Sequence, residues 1–277
     1  MVISKQHLMQ LDYGEKDMFN EKIFSVPPKR TGNIKKTFIR EKLKDLGTPA
    51  ETLPLGLFDE IGEFTAKKKR SPDSDLYKTV GAYFRPNYER GLLITALIKK
   101  YNVKSYLEIG FGRGYSCFCA AMALSETTGG SVTVVDPVID DTHLQNLTKV
   151  FPKEWFEKID FCKATSDEFF NDRVYFNEIR DSFDMIYIDG DHRYDFVKRD
   201  WENAKDRFKK IVLFDDYHLP SKNQKDIEVS SIIDHIDDYT KELVIMDRRV
   251  FLDDRGYSDS EIDYGQVIIT NNENSDQ

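Results

Sequence analysis

The chain has 277 residues, of which 40% are apolar and 32% charged, a composition that excludes disorder throughout and suits one α/β domain with an extension. No apolar run approaches the roughly 20 residues that cross a bilayer, and acidic side chains follow the N-terminus too closely for a secretory signal. We therefore expect a soluble, cytoplasmic protein without a membrane partner. The formal charge is −9, with 25 basic against 37 acidic side chains after residue 80, which disfavours a nucleic-acid partner.

Residues 1–85 are predicted to form a helical extension without strands. Asn33 can cap a helix that runs to Gly47, and Ser71 followed by Pro72 is typical of a second helix start. From its position before the main domain, we expect this extension to fold over the active-site rim as a lid. The last residues, 271–277, are predicted to be a disordered tail.

Residues 86–270 alternate between apolar, strand-like runs and amphipathic helical stretches, a pattern that predicts a parallel sheet covered by helices. The predicted fold class is therefore α/β, with a Rossmann-like, seven-stranded, mostly parallel sheet whose last strand is antiparallel. The seven predicted strands are Ser105 to Ile109, Val132 to Val135, Ile159 to Cys162, Asp184 to Ile188, Ile211 to Phe214, Leu243 to Met246 and Gln266 to Ile269.

The strongest local motif is YLEIGFGRGYS, residues 106–116, at the end of the first of these strands. A strand that turns into a helix here leaves backbone N–H groups that point into the crevice at the carboxyl edge of the sheet. Gly110, Gly112 and Gly114 lack the side chains that would keep a ligand away from this backbone. The motif predicts a nucleoside-sized ligand at the turn.

The charges around this turn narrow the kind of ligand. Tyr115 stands where the dinucleotide fingerprint requires Gly or Ala, which disfavours a pyrophosphate. Glu108 places a negative charge near the turn, which favours a cationic ligand. Asp136, at the end of the next strand, can accept hydrogen bonds from both hydroxyl groups of a ribose.

This motif resembles the first motif of the class I S-adenosylmethionine-dependent methyltransferases, in which an acidic residue precedes Gly-x-Gly-x-Gly. The matching residues are Glu108, Gly110, Gly112 and Gly114. The resemblance covers about residues 85–270 and implies S-adenosylmethionine as the cofactor. It also implies that Asp136 holds the ribose and that the turn at Thr165 and Ser166 lies beside the adenine.

A second group of acidic residues follows the next two strands. MIYIDGDHRYD, residues 185–195, contains Asp189, and IVLFDDYH, residues 211–218, contains Asp215 and Asp216. Neighbouring strands lie about 5 Å apart, so these carboxylates meet at the rim of the glycine turn if the fourth predicted strand neighbours the first. Carboxylates this close repel one another unless they are protonated, hydrogen-bonded or bridged by a cation, and a divalent ion such as Mg²⁺ provides that bridge.

These strand ends resemble the catechol and caffeoyl-CoA type O-methyltransferases and the sugar O-methyltransferases of antibiotic biosynthesis. The resemblance implies Asp189, Asp215 and Asp216 as Mg²⁺ ligands, Asp189 also as a catalytic residue, and His192 as the general base. We therefore predict a methyltransferase that modifies a hydroxyl group of a sugar, diol or catechol. The predicted partner is this small-molecule acceptor, and a homo-oligomer is left open.

Three other functions fit parts of the pattern. An N-methyltransferase acting on a small amine would use the acidic rim, formed by Asp189, Asp215 and Asp216, to attract a cation without any metal. A nicotinamide dehydrogenase would share the strand and glycine turn, and a non-catalytic protein would keep the fold alone. The last two predict no binding of S-adenosylmethionine, whereas Glu108, Asp136 and Asp189 argue for it.

Overall fold

The computed structural model describes residues 34–48, 88–149, 151–171, 182–218, 228–245 and 264–270. The predicted tail and most of the predicted lid, including the helix expected after Ser71, lie outside these residues. The described strands are β1 (Lys35–Phe38), β2 (Ser105–Ile109), β3 (Ser131–Val135), β4 (Ile159–Cys162), β5 (Phe183–Ile188), β6 (Phe208–His218), β7 (Thr240–Ile245) and β8 (Tyr264–Thr270). The described helices are α1 (Ile39–Asp45), α2 (Tyr88–Lys100), α3 (Tyr115–Ser125), α4 (Asp141–Leu147), α5 (Lys153–Phe156), α6 (Ser166–Asn171), α7 (Tyr194–Ala204) and α8 (Val229–Ile233).

The described strands form one sheet in the order β1-β7-β8-β6-β5-β2-β3-β4. All pairs are parallel except those of β8, which runs antiparallel to both β6 and β7. All seven predicted strands are present, and the predicted antiparallel pairing of the last two is confirmed. The sheet is therefore the mostly parallel, Rossmann-like sheet that the sequence predicts, with one strand more.

The additional strand corrects the prediction that the N-terminal extension has no strands. Lys35–Phe38 pairs in parallel with β7 at the edge of the sheet, and the helix expected from Asn33 begins only at Ile39. The edge of β7 offers unpaired backbone groups, and tertiary pairing with them outweighs the local helical pattern. Glu242 on β7 fixes the contact, since it accepts hydrogen bonds from Thr37 Oγ1 at 2.6 Å and Lys42 Nζ at 2.5 Å.

Apolar side chains pack on both faces of the sheet. One core contains residues of α1 to α5 and the other contains residues of α6, α7 and α8. Residues of β5 such as Met185 and Ile186 alternate between the two cores, as expected for a parallel strand covered on both sides. No helix among the described residues is long and apolar enough to cross a membrane.

The position of β2 in the sheet creates the crevice. Its neighbours are β3 on one side and β5 on the other, so the chain order reverses between β2 and β5. Ligands of open α/β sheets bind at such a switch point, outside the carboxyl ends of the strands. The fourth predicted strand therefore does neighbour the first, and their ends lie side by side.

Candidate active site

The glycine turn after β2 has the geometry that its sequence requires. Gly110, Gly112 and Gly114 have φ values of +94°, +52° and +93°, in the left-handed region that other residues rarely adopt. A methyl group at Gly110 would overlap the carbonyl of Asp189, whereas one at Gly112 would meet no atom within 4 Å. Gly110 therefore allows close packing against β5, and Gly112 leaves open space beside the backbone where a ligand can approach.

Asp136 lies at the end of β3 and is bonded to the glycine turn. Its Oδ2 atom accepts hydrogen bonds from the backbone N–H of Phe111 at 2.8 Å and of Gly112 at 3.4 Å. Its Oδ1 atom accepts one from the N–H of Val138 at 2.8 Å. The Oδ1 atom has further acceptor capacity, so the predicted contact with ribose hydroxyl groups fits this arrangement. Asp136 therefore also holds the turn in place.

Glu108 lies inside the sheet rather than in the crevice. Its side chain is fully buried and accepts hydrogen bonds from Tyr106 Oη at 2.9 Å and Ser116 Oγ at 2.7 Å. Burial raises the pKa of Glu108 to about 8 although both hydrogen bonds lower it. The structure thus places Glu108 where it supports β2 and the start of α3, and its contact with the cofactor stays a prediction.

The turn after β4 is closed by its own hydrogen bonds. The N–H and Oγ1 of Thr165 donate to Glu168 Oε2 at 2.8 and 2.9 Å, in the manner of a helix N-terminal capping box. The Ser166 hydroxyl donates to the Asp200 carboxyl on α7. Ser166 is buried by this contact, and the predicted approach of both residues to adenine stays a prediction.

Asp189 connects the glycine turn to the acidic rim. Its backbone N–H donates to the carbonyl of Ile109 at 2.9 Å, so it lies directly beside the end of β2. His192 Nε2 lies 3.5 Å from Asp189 Oδ1, and His192 Nδ1 lies 3.2 Å from Asp216 Oδ2. The imidazole therefore lies between the two carboxylates, with 30% of the side chain exposed to solvent.

Asp216 reaches His192 through an irregularity of β6. The pairing of β6 with β8 shifts register between Phe214 and Tyr217, and Asp216 has a φ of +51°. Such a backbone costs a residue other than glycine about 1–2 kcal/mol. Without it, the consecutive residues Asp215 and Asp216 would point to opposite faces of the sheet.

The neighbouring carboxylates control the charge of His192. Burial alone would lower the pKa of His192. The hydrogen bond to Asp189 and the charges of Asp216, Asp189 and Asp215 together outweigh burial and raise this pKa to about 9. The ring is therefore mainly an imidazolium at neutral pH. Only its neutral form can accept a proton from a substrate.

Both carboxylate oxygens of Asp215 contact other side chains of the protein. Its Oδ2 atom forms an ion pair with Nη2 of Arg90 on α2, and its Oδ1 atom accepts a hydrogen bond from Gln266 Nε2 at 3.3 Å. Arg90 Nη1 also lies 3.5 Å from Asp189 Oδ2. Only 1% of the Asp215 side chain is exposed to solvent. A guanidinium thus lies between two of the three predicted metal ligands.

The residues present do not fit the predicted magnesium site. Among the described residues, the one group whose donor atoms lie close enough to share an ion is Asp189, His192 and Asp216, with all donor atoms within 4.8 Å, and Asp215 is not part of it. Mg²⁺ prefers oxygen ligands to imidazole, and both ring nitrogens of His192 already face a carboxylate. Magnesium assistance stays a prediction.

Comparison with known proteins identifies the domain that carries this site. Residues 107–217 match the family model of a methyltransferase domain. The chain contains a methyltransferase domain. Together with the fold, this match confirms the predicted class, a class I S-adenosylmethionine-dependent methyltransferase. No curated protein is significantly similar to the chain in sequence.

Solved structures show the same fold for the methyltransferase domain. An O-methyltransferase from Bacillus cereus, solved in complex with S-adenosylhomocysteine, is 14% identical with a TM-score of 0.53, and the similarity covers 84% of this chain and 96% of that chain. TomG from Streptomyces achromogenes, an O-methyltransferase involved in tomaymycin synthesis and solved with S-adenosylmethionine, is 13% identical with a TM-score of 0.51. That similarity covers 78% of this chain and 96% of TomG. At these identities the comparison shows the fold.

Two site residues of the methyltransferase domain and its flanking helix were not among the sequence predictions. Arg90 lies on the same face of α2 as the buried Leu93 and Ile94, and Asp200 lies on the buried stripe of α7 beside Val197. A charged residue in a buried stripe needs a partner of opposite charge or a hydrogen-bond partner. That mismatch between charge and position is the sequence signal that could have found both.

Proposed function

We propose that this methyltransferase transfers a methyl group from S-adenosylmethionine to a hydroxyl group of a small molecule, such as a sugar, diol or catechol. The observation that carries the proposal is the position of His192 between Asp189 and Asp216, since Asp189 itself lies beside the start of the glycine turn. A base at this place is within reach of an acceptor whose reacting oxygen faces the crevice.

The open face of the glycine turn suits the cofactor. Gly112 leaves room beside the backbone, and the Asp136 carboxylate, already bonded to the turn, can accept hydrogen bonds from ribose hydroxyl groups. When bound, S-adenosylmethionine supplies an electrophilic methyl group whose bond to the acceptor oxygen forms as its bond to sulfur breaks, with the electron pair remaining on a neutral thioether. The protein contributes alignment of the reacting atoms, an effect worth several kcal/mol.

The acceptor proton goes to His192 in this proposal. Asp216 holds Nδ1 of the ring at 3.2 Å, which fixes the orientation of the ring and leaves Nε2 as the nitrogen that accepts the proton. The Nε2 contact with Asp189 is longer, at 3.5 Å, so an acceptor hydroxyl can replace it. Asp189 then stabilises the imidazolium that forms.

An amine is the second candidate acceptor. The rim carries the carboxylates of Asp189 and Asp216, and such a surface attracts a cationic substrate. Only the neutral form of an amine attacks a methyl group, and an amine that has lost its proton to solvent needs no protein base, so His192 would be dispensable for amine methylation.

One experiment separates these possibilities. The full chain is incubated with methyl-labelled S-adenosylmethionine and a panel of sugars, catechols and amines, and the labelled atom is identified by mass spectrometry and NMR. We expect the label on a hydroxyl oxygen and its loss in His192→Gln. Label on nitrogen alone, unaffected by this substitution, would replace the proposal with N-methylation. Binding of the cofactor without label on any acceptor would contradict both.

A further inference from the structure

The Arg90 guanidinium lies at the bottom of the acidic rim, where the sequence predicted a metal ion. It extends from α2 to the end of β5, where it contacts Asp189 Oδ2, and to the irregularity of β6, where it is paired with Asp215 Oδ2. The side chains of Arg90 and Asp215 are 18% and 1% exposed, so their ion pair is largely shielded from water. A shielded pair of this kind is screened little by salt.

The position of Arg90 in the sequence forces the guanidinium into the rim. Leu93, Ile94 and Leu97 follow it at helical spacing and are buried in the core, so the side chain of Arg90 leaves α2 on a face that is buried further along the helix. A buried guanidinium that has lost its water requires a carboxylate partner. Asp189 and Asp215 provide two.

Arg90 and a divalent ion compete for the same carboxylates. An ion bound to Asp215 would have to displace Arg90, and the guanidinium would then lose its closer carboxylate partner and lie beside a double positive charge. Removal of one partner from a buried ion pair is strongly destabilising, because it leaves a buried charge uncompensated. The second oxygen of Asp215 is held by Gln266, so this carboxylate has no open side for a metal.

We propose that Arg90 replaces the divalent cation at this rim, so that the methyltransferase works without a metal. The proposal rests on the proposed function and adds the role of a positioning residue: Arg90 keeps Asp189 and Asp215 in place and balances their charge. The second cationic group of the rim, His192, lies between Asp189 and Asp216 in the same way. Each of the three carboxylates is therefore in contact with a cationic side chain.

The replacement has a consequence for the acceptor. A metal ion can bind two neighbouring oxygens of a diol or catechol at once, whereas Arg90 directs its Nη1 and Nη2 atoms at the carboxylates of Asp189 and Asp215 and does not chelate an acceptor in this way. Recognition of a second, adjacent hydroxyl group is then not required. We expect that an acceptor with one hydroxyl group and its vicinal diol are methylated at rates within about tenfold, the range of a single weak polar contact.

The test is metal binding, which can be measured without an acceptor. Mn²⁺ is titrated into the full chain and into two variants, Arg90→Gln and Arg90→Lys, and free Mn²⁺ is measured by electron paramagnetic resonance. We expect Arg90→Gln to bind Mn²⁺ about 100-fold more tightly than the wild type, since it frees Asp215, while Arg90→Lys keeps the positive charge and binds weakly. Turnover of the wild type is expected to be unchanged by EDTA.

Two results would overturn the inference. One is tight binding of Mn²⁺ by the wild type together with loss of turnover in EDTA, a measurement that needs no variant. The other is folded Arg90→Gln protein that binds Mn²⁺ no better than the wild type. If no acceptor is methylated at all, the proposed function fails, but the Mn²⁺ titrations still decide whether Arg90 excludes a metal.

Discussion

Nδ1 of His192 lies 3.2 Å from Oδ2 of Asp216, closer than Nε2 of the same ring lies to Asp189, at 3.5 Å. The two contacts are therefore not equivalent. Asp216 sits on a strand irregularity with a left-handed backbone, and this strained position brings its carboxylate to the ring. The tighter contact orients the imidazole, and the looser one leaves a nitrogen for the substrate.

Replacement of His192 by Gln is expected to lower the rate of O-methylation by about 10²–10⁴, the usual contribution of a general base, without changing the affinity for S-adenosylhomocysteine. Because only the neutral ring accepts a proton, and the pKa of His192 is raised to about 9, the wild-type rate should rise with pH between 7 and 9. Rates are measured by transfer of labelled methyl groups. His235→Gln is the control, since His235 contacts the carbonyl of Ser231 away from the rim. A full rate in His192→Gln would exclude the base role.

Substitution of Asp136 is expected to weaken cofactor binding. Asp136→Asn keeps the size of the side chain but loses the charge, and we expect roughly tenfold weaker binding of S-adenosylmethionine by calorimetry, since a hydrogen bond to a charged group is worth about 1.5–3 kcal/mol. Asp140→Asn is a matched control, because Asp140 caps α4 through the N–H of His143 and Asn preserves such a cap. Equal affinities in both variants would exclude Asp136 from the cofactor site.

The sheet could be predicted from the sequence because parallel strands buried on both faces form short apolar runs with clear ends. Val132 to Val135 and Asp184 to Ile188 are examples, and the structure extends each by one residue. The strand Lys35–Phe38 could not be predicted, because its pairing depends on the edge of β7, more than 200 residues away. Local propensity does not contain that partner.

The site could be predicted only in part, for a similar reason. Sequence position places Asp189, Asp215 and Asp216 at strand ends. Asp189 does follow β5 directly, but β6 continues to His218, so Asp215 and Asp216 lie within it, at its irregularity just past the last residue pair with β5. Sequence position alone does not reveal that Arg90, from the helix before β2, binds Asp189 and Asp215. The carboxylates do lie close together, as predicted, but the positive charge beside Asp189 and Asp215 is the guanidinium of Arg90, a side chain of the same chain.

A methyl group at Gly112 is expected to act on the cofactor more than on the fold. Gly112→Ala places a Cβ in the open space beside the turn and adds about 1–2 kcal/mol of backbone strain. Gly129→Ala is the matched control, since Gly129 has a φ of +74° and also no atom within 4 Å of an added Cβ, but lies between α3 and β3. Both variants should lose similar stability in thermal unfolding, and only Gly112→Ala should lose affinity for S-adenosylhomocysteine in calorimetry. Equal affinities would show that no ligand occupies this space.

The buried carboxyl of Asp200 is expected to make stability depend on pH. Burial raises its pKa from 3.8 to about 7, against the lowering effect of the Ser166 hydrogen bond, so the folded state holds a proton that the unfolded state releases. The free energy of unfolding should therefore fall as pH rises from about 4 to above 7, by up to about 4 kcal/mol from this group. Asp200→Asn resembles the protonated form and should be more stable than the wild type at pH 8 but not at pH 4.

The control variant for this prediction, Asp184→Asn, should change the free energy of unfolding in the opposite direction. Asp184 is also buried, but hydrogen bonds from the backbone N–H groups of Lys104 and Ser105 and the charge of Lys210 lower its pKa in spite of burial. Its carboxylate stabilises the fold above pH 3.8, and this contribution is lost as pH falls through the folded-state pKa. Asp184→Asn should therefore be less stable than the wild type at pH 8, where Asp200→Asn is more stable. Urea unfolding of both variants at pH 4, 6 and 8 measures the difference, and a loss of stability at pH 8 in Asp200→Asn would mean that Asp200 is ionised in the folded protein.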